Sequence, residues 1–97
     1  MEQNVYLLKY TVQEQSAYIV GILSAHLTMK GAAQALAKTM TDLENNGWNR
    51  KDRGMTIDSI RQTKIETSTL HLYNVSYHHP NQDRDMQLHI EPLTAKL

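Results

Sequence analysis

From Thr28 to Gly47 the chain reads TMKGAAQALAKTMTDLENNG, with apolar residues at Met29, Ala32, Ala33, Leu36, Met40 and Leu43. Steps of three and four place all six on one stripe of an α-helix, while Lys30, Gln34, Lys38, Thr41 and Asn45 fall opposite. Thr28 suits the N-cap, because its hydroxyl can accept from a first-turn amide. Leu27 is placed to staple onto Ala32, and Gly47 suits the left-handed residue that ends a helix. A helix with one apolar face needs a platform. Its alanines make that face shallow, which fits close seating on a sheet; close helix–helix docking in a dimer would use the same feature. The remaining sequence must supply whatever the stripe covers.

The flanking segments read as strands. Residues 5–12 place Tyr6, Leu8, Tyr10 and Val12 on one side and Val5, Leu7, Lys9 and Thr11 on the other. Residues 13–16 form a polar turn, and residues 17–25 form the second strand. Pairing Val12 with Ala17 puts Ile19 and Leu23 on the face of Tyr6, Leu8 and Tyr10, and puts Tyr18, Val20 and Ile22 with Val5 and Leu7. Both faces of this hairpin are therefore apolar, although one helix covers only one. An antiparallel sheet with a solvated face should alternate apolar and polar. The second face must be covered by the C-terminal half of the chain, by a partner, or by a second copy.

After the helix, WNRKDRG at 48–54 is a polar, basic loop. Residues 55–66 read as an extended segment whose apolar residues, Met55, Ile57, Ile60 and Ile65, keep no single parity, which suggests a bulge near Ser59. Thr67 and Ser68 make a turn. Residues 69–78 form a strand, 79–85 a loop dense in turn formers, and 86–91 a last strand that Pro92 ends, leaving 93–97 as a loose tail. Setting His79 opposite Met86 gathers Tyr73, Val75, Tyr77, Met86, Leu88 and Ile90 on one face and Asn74, Ser76, His78, Gln87, His89 and Glu91 on the other. The expectation is one α+β domain over 1–97: an antiparallel sheet of about five strands in the order β-β-α-β-β-β, with one amphipathic helix on a face.

Composition narrows the function. Ninety-seven residues, with 40 % apolar residues and no Phe, make one lean core. Ten basic and ten acidic side chains cancel, so nucleic acid and acidic membranes exert no general attraction. The chain holds no Cys, which excludes disulfides and thiolate chemistry and fits a reducing, cytoplasmic setting. The start has no signal-peptide pattern, and no apolar run is long enough to span a membrane. No phosphate-binding loop, Gly-x-Ser-x-Gly or dinucleotide fingerprint occurs, so neither cofactor nor catalytic residue is expected.

Two weaker patterns remain. His78 and His89 lie diagonally on one face in the register above, about 7–8 Å apart at the backbone. That spacing would serve a metal shared with Asp83, Asp85 or Glu91, or the acid–base chemistry of a small hydrolase or nuclease. Neither His26 nor His71 joins them. Trp48 with Arg50, Lys51 and Arg53, extended by Arg61 and Lys64, combines an aromatic with cations as single-strand binders do; alternatively Trp48 caps the helix end. The leading expectation is a non-enzymatic protein-binding module acting by contact or occlusion. In size and neutrality it is like the small inhibitors and regulators of phages and mobile elements. Val5, Leu7, Tyr18, Val20 and Ile22 would supply the anchor, with Trp48, Arg50, Lys51 and Arg53 beside them. A hydrolase using the histidines, or an obligate homodimer using the same apolar face, is the alternative.

Overall fold

A computed structural model describes residues 2–51, 56–62 and 74–96. It is an α+β domain built on a five-stranded antiparallel sheet. The strands are β1 (Glu2–Glu14), β2 (Ala17–His26), β3 (Asn49–Arg50), β4 (Asn74–His79) and β5 (Arg84–Lys96), arranged in space as β2-β1-β5-β4-β3. The main helix, α1 (Met29–Asn45), follows β2, and a short helix, α2 (Ile57–Arg61), follows β3.

The helix forms as its stripe dictates. The Thr28 hydroxyl accepts from the Gly31 amide at 3.0 Å, and Gly47 leaves the helix end at φ +91°. Met29, Ala32, Ala33, Leu36, Ala37 and Met40 are buried against Tyr6, Leu8, Val75, Tyr77, Leu88 and Ile90. The stripe also meets Ile60 of α2, so the sheet and the short helix cover it together. The Leu27 staple does not form: Leu27 is exposed while Ala32 is fully buried.

Further expectations are corrected. The third strand is Asn49–Arg50, inside the stretch read as loop, and pairs with Tyr77 and His78. Part of 55–66 is helical rather than extended: Thr56 and Ser59 form a capping box, and the missing strand parity of Ile57 and Ile60 is an i,i+3 helical spacing that seats both on the core. Met55, residues 63–73 with their Thr67–Ser68 turn, His71 and Tyr73 lie outside the described residues. In the C-terminal hairpin His79 pairs with Arg84, not Met86, because the turn takes only the four residues 80–83, with Asp83 in a left-handed conformation at φ 48°. Finally, Pro92 does not end β5, which pairs with β1 as far as Glu2↔Lys96. Among the described residues β4 reaches only Asn74↔His89, so at Pro92 the ladder needs no amide on that side. In the first hairpin Val12 pairs with Ile19, not Ala17. Both hairpins slip by two residues, so side chains keep their predicted faces, except that the bulge opposite Leu8 and Lys9 turns Ser24 and Ala25 to the other face. Among the described residues no helix is long and apolar enough to cross a membrane.

Candidate functional site

Both helices lie on one face of the sheet. Among the described residues no helix covers the other, open face, and the strand registers order it in rows. His78, Asp85, Gln13 and Tyr18 form one row, Ser76, Gln87, Thr11 and Val20 the next, and Asn74, His89, Lys9 and Ile22 the third. Beyond them lie Glu91 with Leu7 and Ala25, then Leu93 with Val5. The open face is therefore polar toward β4 and apolar toward β2.

The polar half is held by ion pairs. Lys51 reaches over β4 to Asp85, with Nζ 2.8 Å from Oδ1. His78 Nδ1 lies 2.9 Å from the same oxygen, and since a carboxylate only accepts, the ring proton sits on Nδ1. Lys51, and then His78, hold the Asp85 carboxyl below its ordinary value of 3.8. Lys9 likewise lowers Glu91 across 2.8 Å. A carboxyl with a lowered folded-state pKa stabilises the fold above its unfolded value and loses that contribution as pH falls through the folded value. Stability should therefore decline as acid titrates Asp85. In Asp85→Asn, the denaturant midpoint should vary less between about pH 6 and pH 2 than in the parent; the groups are exposed, so added salt should shrink the difference.

The apolar half is β2. Among the described residues it is the end strand of the sheet, with a neighbour on one side only. Tyr18 is 68 % exposed, Val20 61 % and Ile22 59 % on the open face, and Ile19 and Leu23 are 46 % and 48 % exposed. Leu23 is the extra residue of a bulge opposite Leu8 and Lys9. A cleft of about 200 Å³ separates Tyr18 from Lys51, with Thr11, Gln13, Asp85 and Gln87 along it.

Of the residues singled out in the sequence, Val5, Leu7, Tyr18, Val20 and Ile22 share this face, the first two half-buried and the other three exposed. The basic group does not gather beside them, because β3 is at the opposite edge of the sheet. Trp48 is turned inward against the core. Its amide donates to the Leu43 carbonyl at 3.0 Å, and its ring meets His79 edge-on at 5.1 Å. It thus caps the helix end instead of standing free for a base or a partner. Arg50 points to Glu44 at 4.0 Å. Among the described members of the group Lys51 alone reaches the open face, as the far wall of the Tyr18 cleft. Arg53 and Lys64 lie outside the described residues, and Arg61 pairs with Asp58 on α2.

The histidine pair is separated. His78 stands opposite Asp85 and His89 opposite Asn74, four residues or about 13 Å apart along the strands, where the expected register allowed about half that. Among the described residues no three His, Asp or Glu side chains come together as a metal site. Sequence reasoning missed Ile19, Leu23, Leu27 and Leu93 as exposed apolar residues. A register can assign a face, but only strand order reveals that β2 is an edge exposed on both faces. Comparison of the chain with family models, with curated proteins and with solved structures returns no match.

Proposed function

We propose that this protein is a non-enzymatic binding module that acts by contact, with β2 and the adjoining open face as its working surface. The observation that carries this reading is the exposure of Tyr18, Val20 and Ile22 side by side on an edge strand. Interface cores favour aromatic and apolar anchors free of charge, and residues 17–26 contain no Lys, Arg, Asp or Glu. Toward β4 the open face carries paired charges among uncharged polar residues, which suits a rim. The Lys51–Asp85–His78 group supplies polar contacts at the far side of the Tyr18 cleft.

The experiment is capture from a nuclease-treated lysate of the natural host. The parent should be compared with Tyr18→Ser/Ile22→Lys and with Lys38→Glu, which changes the exposed side of α1. A partner held by the parent and by Lys38→Glu, and weakened at least about tenfold by the double variant, is the expected result. The tenfold figure is the loss of two partly buried anchors, at roughly 1.4 kcal/mol or more together. Equal capture by all three proteins would remove β2 as the working surface.

A further inference from the structure

The two edges of this sheet are unlike. The β3 edge is two residues long and is followed by Lys51, a short and charged end that resists pairing with another strand. The β2 edge is ten residues long, and residues 17–26 contain neither a charge at neutral His nor a proline. It therefore lacks the charges and proline that usually prevent edge-to-edge association, and its bulge, at Leu23, lies beyond Ile22.

Its hydrogen-bonding groups follow from the turn. Glu14 and Ala17 flank a two-residue loop, Gln15–Ser16, with Gln15 at φ 52°. Such a turn closes with the fourth residue's amide donating to the first residue's carbonyl, which makes Glu14 and Ala17 a hydrogen-bonded pair. In the alternation of an antiparallel ladder, Ala17, Ile19 and Gly21 then turn their N–H and C=O groups toward β1. Tyr18, Val20 and Ile22 turn theirs outward. The residues with free backbone groups are thus the same three whose side chains are exposed on the open face.

We infer that the occupant of this edge is a second copy of the same chain, with β2 pairing antiparallel to β2 about a two-fold axis at Val20. This rests on the reading of β2 as a contact surface and specifies its partner. In that register Val20 faces Val20 of the second copy and Tyr18 faces Ile22 in both directions, so every outward donor of the three meets an outward acceptor. The six side chains form one apolar row, with the aromatic set against a β-branched residue, a favoured cross-strand pair. On the helix face, Ile19 of each copy falls opposite Gly21 of the other, over which the Tyr10 ring lies. No charge opposes its like.

The association closes. The bulge at Leu23 breaks the ladder just beyond Ile22, limiting the pairing to a short window. Among the described residues the product is one ten-stranded sheet whose end strands are both β3; the two-fold contact is isologous and does not propagate into a fibre. At about 100 Å² of apolar surface per full side chain, the exposed parts of Tyr18, Ile19, Val20 and Ile22 supply about 230 Å² per copy. With the peptide edge added, the pair buries on the order of 800 Å², the scale of a weak, reversible dimer and short of an obligate one.

The test is sedimentation velocity over a concentration series, with site-directed disulfide trapping. The full chain should change from 11.1 kDa toward about twice that mass between roughly 1 and 100 μM, the range expected for an interface of this size. Val20→Pro should weaken association about thirtyfold by deleting the two amides at the axis. It spares the β1 ladder, because that amide points outward. The chain has no native Cys, so single cysteines report cleanly. Val20→Cys should oxidise to a covalent dimer, its Cα atoms facing one another at about 5.5 Å. Ile22→Cys should not, since its symmetry mates are about 13 Å apart. A monomer at 100 μM overturns the inference while leaving the binding-module reading to the capture experiment. A dimer that traps through Ile22→Cys and not Val20→Cys, or that Val20→Pro leaves intact, overturns it equally.

Discussion

Leu36→Ala should lower the free energy of unfolding by about 3–4 kcal/mol, in the upper half of the range for buried leucines. Leu36 is fully buried in the middle of α1. Its neighbours on the helix are Ala32, Ala33, Ala37 and Met40, equally buried; the alanines are too short to swing into the space left behind, and Met40 alone among them can lean toward it. The facing residues belong to sheet strands fixed on both sides by ladders, so the cavity stays open and the full packing loss is felt. A domain of this length has roughly 5–15 kcal/mol in all, and the loss should appear as a fall in Tm of about 12–30 °C. Guanidinium unfolding followed by circular dichroism measures it. Gln34→Ala, on the exposed side of the same helix, should change stability by less than about 0.5 kcal/mol. A Leu36→Ala loss no greater than that of Gln34→Ala would mean that α1 does not seat on the sheet through this stripe.

That packing was readable because helical spacing needs no knowledge of the partner surface. Met29, Ala32, Ala33, Leu36 and Met40 declare the buried face by period alone, and Ala37 completes it. Strand faces were equally legible, since parity survives an even slip: the C-terminal hairpin is two residues off the expected pairing, yet Val75, Tyr77, Leu88 and Ile90 are all buried. What failed was whatever depends on distance along a strand or on strand order. The same slip separated His78 from His89 and set His78 on Asp85. The position of β2 at the edge follows from β5 pairing with β1 along its whole length, a contact between the two ends of the chain that no local pattern announces. Likewise Trp48 and Arg50 looked available in a polar loop, but a two-residue strand ties that loop to β4 and turns the indole inward. The candidate surface was thus half visible: the anchors by parity, their setting only by topology.

Tyr77 offers the second large effect, and two substitutions divide it. The side chain is fully buried in β4, and its hydroxyl donates to Glu44 Oε2 at 2.7 Å, joining the sheet to the last turn of α1. That turn has no basic residue, and a carboxylate there opposes the helix dipole; the phenol and the Arg50 guanidinium, 4.0 Å from Oε1, offset the opposition. Tyr77→Phe keeps the ring and removes the hydroxyl. Hydrogen bonds to charged groups contribute about 1.5–3 kcal/mol, but Glu44 is about one-third exposed and can turn to water, so the expected loss is nearer 1–1.5 kcal/mol. Tyr77→Ala also empties a ring-sized volume between α1 and the sheet and should cost about 4 kcal/mol. Glu44→Gln should cost less than Tyr77→Phe, because it ends the conflict with the dipole while leaving an acceptor in place. Denaturant midpoints of the three variants, taken with the parent in one buffer, rank them. If Phe costs as much as Ala, the Tyr77–Glu44 link and not the ring's packing holds β4 to the helix end; if Phe costs nothing, that bond is not made in solution, and β4 is held by its apolar contacts alone.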